Sequence, residues 1–206
     1  MRITILLIIV FLALSCKTES KENTSKEVLS GISNVLEKRK FSIANGNIKD
    51  SIVEHLTMDG IEFANQIWLV NQSNDTVGGN YYIPFIKDTT ILGEVTRLRF
   101  TLFEPSISYN SDMYVLVPIE DDKLKKDFSN LFEIELDTFP SLKNDGIPHP
   151  ELSNLDWPLN HIAEFGFKYS TVGKKRVRGV IVERGKLDDK GYERRLYFDK
   201  SFYISE

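Results

Sequence analysis

The stretch Val95–Phe103 (VTRLRFTLF) decides the fold class of this chain. Its side chains alternate between a mostly apolar row and a mostly polar row. Because successive side chains of a β-strand point to opposite faces, this alternation predicts a strand with one buried face and one face in water. The two rows are Thr96, Leu98, Phe100 and Leu102 on one side, and Val95, Arg97, Arg99 and Thr101 on the other.

Several later segments are short, β-rich and apolar in the same way, and no long helical segment separates them. This arrangement favours an antiparallel sandwich over a parallel sheet, which would need helical crossovers. The segments are Met113–Val117, Ala163–Tyr169, Arg176–Arg184 and Leu196–Ile204. We expect one core, formed by Leu98, Phe100, Leu102, Phe165, Phe167, Val177, Leu196 and Phe198. Lys200 breaks the inner row of the last segment and suggests a bulge there.

The segment Phe165–Glu183 (FGFKYSTVGKKRVRGVIVE) resembles the penultimate strands of bacterial immunoglobulin-like domains. The resemblance covers the chain from Asn80 onward and implies an immunoglobulin-like β-sandwich. It implies a strand that ends in a glycine-containing turn and a following strand in the centre of a sheet. The final strand, Tyr192–Ile204, would then pair with that central strand across the turn Asp188–Gly191. The polar segment Asp137–Asp156, which contains three prolines, would be an inserted loop.

Before Asn80 the pattern is mixed. Thr24 and Glu27 have the spacing of a capping box, and apolar residues then recur at helical spacing, so we expect an N-terminal helix over 26–39. The spacing of Ile52, Val53 and Leu56 predicts a second, short helix. Ile67–Val70 predicts a buried strand, and Asn71–Asp75 has the composition of a turn.

The N-terminus resembles the signal peptide of bacterial lipoproteins. Arg2 precedes an apolar run that ends in Leu12–Cys16 (LALSC), a lipobox-like sequence, and the run is short for a membrane span. The resemblance implies that Cys16 is lipidated and becomes the first residue of the mature protein. Lys17 follows where an acidic residue would favour the inner membrane, so the resemblance implies the outer membrane.

These features predict four segments: a signal peptide over 1–15, a flexible tether over 16–25, a helix and strand region over 26–79, and the sandwich over 80–206. The region 26–79 either packs on the sandwich or stands apart from it. Three short segments beginning at Asp50, Asp75 and Asp88 resemble the O-glycosylation motif of exported Bacteroidetes proteins. Cys16 is the single cysteine, so its lipidation would leave no thiol for a disulfide.

Composition and motif spacing exclude several classes of function. The net charge of −4 is modest and argues against a nucleic-acid partner. His55, His149 and His161 lie far apart in the sequence, without metal-ligand spacing. The acidic groups Glu120–Asp122 and Asp188–Asp189 lack the alternating ligands of a calcium loop. We therefore predict no catalysis, no metal and no cofactor.

Two groups of residues are candidates for binding. Arg178 and Arg194 belong to a basic hairpin. This predicts either contact with an anionic glycan, a lipid head group or an acidic protein, or a charged edge that limits aggregation. Trp157 and His149 lie in or next to the proline-bearing loop, where Trp157 could stack on a sugar ring. We expect a lipid-anchored cell-envelope protein that binds a protein partner without catalysis. The alternative is an envelope glycan-binding protein or hydrolase with its site near the 137–156 loop.

Overall fold

The computed structural model of the chain describes residues 35–105, 107–152, 154 and 157–206. Within these ranges the chain is mainly β, and its helices are short 3-10 segments at Asp121–Lys123, Leu131–Glu133, Pro150–Leu152 and Leu159–His161. No helix in the described ranges is long and apolar enough to cross a membrane. The strands are β1 (Leu36–Asn45), β2 (Ile48–Met58), β3 (Ile61–Asn71), β4 (Thr76–Ile86), β5 (Thr89–Ile91), β6 (Val95–Phe103), β7 (Asp112–Pro118), β8 (Leu136–Pro140), β9 (Ile162–Lys168), β10 (Gly173–Leu187) and β11 (Lys190–Ser205).

The strands form two sheets. Sheet 1 has six strands in the order β1-β2-β3-β4-β6-β9, and sheet 2 has five in the order β5-β11-β10-β7-β8. Neighbours are antiparallel except the short parallel pair of β5 and β11. The β10–β11 hairpin turns at Asp188 and Asp189, which both have positive φ. Positive φ at both residues is required by the two-residue hairpin turn whose twist matches that of the strands.

The main core lies between the two sheets. Leu98, Phe100 and Leu102 of β6 pack with Val177 and with apolar residues of the other strands. All eight residues predicted for this core belong to it, seven fully buried and Phe167 partly buried. The predicted alternation of Val95–Phe103 is confirmed. The structure also confirms the predicted strands at 113–117, 163–168 and 176–184. The last two strands pair with each other, as predicted.

A second apolar cluster covers the opposite face of sheet 2. Val180 and Val182 of β10 belong to it, whereas Val177 and Ile181 of the same strand point into the main core. Leu56 of β2 packs against them, together with Leu124, Phe128, Leu131 and Tyr197. The first strands of sheet 1 and the 119–135 segment therefore cover sheet 2 from outside.

Asn65 joins the two sheets. It is the extra residue at an irregularity in the β2–β3 pairing, between Glu54–Gln66 and His55–Ala64. Its amide donates to Tyr197 O at 2.8 Å and accepts from Tyr197 N at 2.7 Å. It thereby satisfies both backbone groups of Tyr197, beside which no strand of the described residues pairs on that side of β11.

The region before Asn80 differs from expectation. The short helix predicted from Ile52, Val53 and Leu56 is wrong, because these residues lie in β2, paired with β1 and β3. Of the helix predicted over 26–39, residues 36–39 lie in β1, and 26–34 lie outside the described residues. The predicted strand at 67–70 is confirmed within β3. The boundary expected between 79 and 80 falls inside β4, so sheet 1 is continuous across it.

Two later features also differ. The segment 137–156 begins as strand β8, which pairs with β7 at the edge of sheet 2 and is not wholly a loop. No bulge occurs at Lys200, because the pairing of β10 with β11 runs without a shift through Val177 and Lys200. Burial lowers the pKa of Lys200, and its ammonium lies 5.7 Å from the centre of the Tyr82 ring.

Candidate functional site: the outer face of sheet 1

Sheet 1 has a second face that points away from the main core, and several apolar side chains are exposed on it. Phe85 is 60% exposed, Val95 47% and Ile83 41%. Gly166 of β9 lies below Val95: an added Cβ there would lie 2.5 Å from a Val95 methyl, so the missing side chain makes room for the valine. β4 and β6 therefore each present apolar side chains to solvent on this face.

Phe85 and Val95 line a groove of about 290 Å³, together with Ile91 of β5. We call this the outer groove. Three charged side chains, Lys87, Glu94 and Arg97, also line it. A groove lined by both exposed apolar side chains and charged side chains has the composition of a protein-binding surface.

A smaller cleft of about 180 Å³ lies at the other end of β6. We call it the aromatic cleft. Its lining includes Phe103, Tyr109 and Trp157, and also Glu104, Pro158 and His161. The Phe103 and Trp157 rings have centres 5.8 Å apart and an interplanar angle of 48°, so they form a corner. Tyr109 is 80% exposed.

The corner continues a row of rings along sheet 1. Phe103 stacks on Tyr81 with centres 4.6 Å apart, and Tyr81 contacts Trp68 at 5.7 Å. The Lys38 ammonium lies 4.3 Å from the centre of the Trp68 ring, within the range of a cation–π contact. Each ring thus holds the next in position, and Trp157 is the last ring of the row.

A buried polar cluster fixes the loop that carries Tyr109. Ser111 Oγ lies 2.6 Å from Glu183 Oε1 and 3.0 Å from His161 Nε2. Asn160 donates to Tyr109 O at 3.2 Å and to Ser111 O at 2.5 Å, and the Ile107 N–H donates to Glu183 at 3.3 Å. The loop backbone is therefore held by buried partners.

Serine, histidine and glutamate are brought together here from distant parts of the chain, but not as a catalytic triad. In a triad the acid orients the histidine from its second nitrogen. Here Glu183 instead contacts the serine oxygen and also pairs with Arg194 at 2.9 Å. Ser111 is fully buried, which keeps its hydroxyl from a substrate. The arrangement supports the loop.

Burial lowers the pKa of His161, against the opposing effects of Glu183 and Asp112 and in the same direction as Arg194. The unfolded chain binds a proton at this histidine as the pH falls through about 6.5, whereas the folded chain stays neutral to lower pH. His161 should therefore contribute stability above that pH and lose it as the pH falls. The urea midpoint of the wild type should drop more between pH 7.5 and 5.5 than that of His161→Gln.

The pKa of His149 shifts in the opposite direction, because the hydrogen bond of His149 with Asp145 raises it. His149 therefore stabilises the fold at low pH and loses that contribution as the pH rises. That contribution is the same in the wild type and in His161→Gln, so it cancels when the two are compared. Parallel pH dependence of the two proteins would contradict the buried neutral histidine.

Of the residues predicted to bind a partner or a lipid, those that the structure describes do not lie together. Trp157 lines the aromatic cleft. His149 does not line it, and bonds to Asp145 at 2.8 Å and to Glu151 at 3.4 Å. Cys16 lies outside the described residues.

Arg178 and Arg194 do not form the exposed basic surface that the hairpin pattern predicted. Arg178 is only 4% exposed and donates to Asp121 Oδ1 at 2.8 Å and to the carbonyls of Asp121, Leu124 and Lys125. Arg194 is mostly buried against Glu183. Since both guanidinium groups have internal carboxylate partners, neither presents a free charge to a partner.

Sequence reasoning missed Phe103, Glu104 and Tyr109. An apolar Phe103 at the end of the mostly polar row of β6 was the available signal. In the described ranges, no group of three or more His, Cys, Asp or Glu residues is placed to hold a metal ion. No protein-family model, curated protein or solved structure matches the chain.

Proposed function

We propose that this chain is a lipid-anchored, non-catalytic binding module of the bacterial cell envelope, and that a protein partner docks on the outer groove. The observation that carries the docking site is that Phe85, Ile91 and Val95, which are 60%, 52% and 47% exposed, line the same groove. Contiguous exposed apolar surface is costly in a soluble domain and is typical of interaction sites.

The groove indicates what the partner offers. An apolar side chain would fill the space between Phe85, Ile91 and Val95. Carboxylates beside it would meet Lys87 and Arg97, which are exposed. Arg97 contacts Glu164 at 3.4 Å and has a side chain that is 75% exposed, so it can turn to a partner at little cost.

We also propose that the domain is immunoglobulin-like. The order of the strands supports this: β4-β6-β9 face β11-β10-β7-β8, and the chain changes sheets from β6 to β7, from β8 to β9 and from β9 to β10. These connections match a Greek-key sandwich with three strands in one sheet and four in the other. β10 is central in its sheet, as the resemblance of Phe165–Glu183 implies.

The docking site is tested by co-purification of the tagged full-length protein from its own envelope. Phe85→Glu should abolish recovery of the partner, because a charge would be buried in the apolar contact. Leu187→Glu is the matched control, since Leu187 is also exposed and lies at the tip of the β10–β11 hairpin. Equal recovery with both variants would reject the outer groove as the site.

The anchor makes a separate prediction. Cys16→Ala should release the protein from the membrane fraction, because stable anchoring requires acyl chains that alanine cannot accept. Ser20→Ala, in the proposed tether, should leave the distribution unchanged. Fractionation and labelling with a radioactive fatty acid measure both effects, and membrane-bound, unlabelled Cys16→Ala protein would contradict lipidation.

A further inference from the structure

We propose that the aromatic cleft, which Glu104 also lines, binds a compact organic ammonium group against the rings of Phe103, Tyr109 and Trp157. The cleft lies at the opposite end of β6 from the outer groove. The inference therefore does not depend on the proposed protein partner.

Charge decides the class of ligand. Among the described side chains that line the cleft, Glu104 carries the only formal charge at neutral pH, because His161 is buried and neutral and no lysine or arginine lines the space. An anionic ligand would be repelled by Glu104. A fully apolar ligand would remove water from the carboxylate without replacing its hydrogen bonds, which is costly.

Shape favours an ammonium group over a flat sugar ring. Phe103 and Trp157 meet at 48°, so they enclose a corner and do not offer one flat wall. A cation within about 6 Å of several ring centres gains attraction from each ring face. The volume of about 180 Å³ suits a small head group and is below the range typical of larger ligands.

Glu104 is held in place by an unusual local backbone. Its φ is 45°, although it is not glycine and precedes Pro105. Its carboxylate accepts a 3.3 Å hydrogen bond from the Gly79 N–H. Gly79 has φ 126°, and a Cβ there would lie 2.2 Å from Ile67 O, so only glycine fits. Strained conformations of this kind persist where the surrounding structure enforces them, often at ligand sites.

The other walls are held in place as well. Tyr81 supports Phe103 from behind, and the buried Asn160, Ser111 and Glu183 fix the backbone of the Tyr109 loop. Preformed walls lose little conformational entropy on binding. The cleft is therefore organised before a ligand arrives.

The test compares choline with 3,3-dimethylbutan-1-ol, which has the same shape but no charge, by calorimetric titration of the full-length protein. Choline should saturate one site, and the neutral compound should bind at least about fivefold more weakly. Glu104→Gln and Trp157→Leu should each weaken choline binding by a similar factor. Glu94→Gln, which changes a carboxylate of the outer groove, should leave it unchanged.

Further titrations separate the sources of the ammonium group. Phosphoethanolamine represents a lipid head group, Nα-acetyl-lysine amide represents a protein side chain, and glucose represents a neutral glycan. Preference for either ammonium compound over glucose supports the proposal and names its source. The proposal would be overturned if choline showed no saturable binding, if choline and its neutral analogue bound equally, or if glucose were preferred. It would also be overturned if a Glu104→Gln variant with a normal unfolding curve bound choline as well as the wild type does.

Discussion

Phe100→Ala should lower the free energy of unfolding by about 3–5 kcal/mol, the usual cost of truncating a buried phenylalanine. Phe100 is completely buried in the main core. Its ring lies 4.6 Å from Phe198 of sheet 2, 5.6 Å from Tyr82 and 6.0 Å from Phe165, measured between centres. Alanine would leave a cavity where the two sheets meet, and the surrounding rings can collapse into it only in part.

Phe85→Ala is the matched control, because Phe85 lies on the adjacent strand but is exposed. Its effect should be within about 0.5 kcal/mol, as for surface substitutions in general. Urea unfolding of both variants measures the difference. Similar losses for both, or no loss for Phe100→Ala, would contradict the assignment of the main core.

Arg178→Ala should lower the free energy of unfolding by about 3 kcal/mol, because it removes the buried guanidinium and leaves the backbone carbonyls that it binds without their donor. The Arg178 guanidinium binds the Asp121 carboxylate and three backbone carbonyls between Asp121 and Lys125. These bonds hold the 119–135 segment over sheet 2, where Leu124, Phe128 and Leu131 complete the second apolar cluster.

Arg184→Ala is the control on the same strand and face. The Arg184 side chain is 64% exposed and pairs with Glu193 at 2.8 Å, so its loss should cost at most about 1 kcal/mol. Loss of protease protection in the 119–135 segment should accompany the effect of Arg178→Ala. A stable Arg178→Ala protein that resists proteolysis there would show that the ion pair is dispensable.

The strands after Val95 could be predicted because alternation within one strand is a local signal. Val95–Phe103 shows its buried face in its own sequence. The region of β1 and β2 could not be predicted in the same way. Ile52, Val53 and Leu56 fit helical spacing, and their β structure depends on pairing with β1 and β3, which the spacing does not encode. Lys38 and Arg39, at the end of the helix expected over 26–39, lie on an edge strand.

The site was harder to predict than the fold. Arg178 and Arg194 looked like surface charges because their partners cannot be found from composition: Asp121 lies 57 residues from Arg178, and the Glu183–Arg194 pair depends on hairpin register. Trp157 was found as a lone aromatic residue. Its neighbours Phe103 and Tyr109 join it only through the packing of separate loops and strands.

The docking of a protein partner on the outer groove is tested most directly by photocross-linking in the intact envelope. A photoreactive phenylalanine analogue would be placed at position 85 and, as a control, at position 187. The account predicts one defined adduct from position 85, none from position 187, and loss of the adduct when Val95→Glu is added. No adduct from position 85, or the same adducts from both positions, would contradict it.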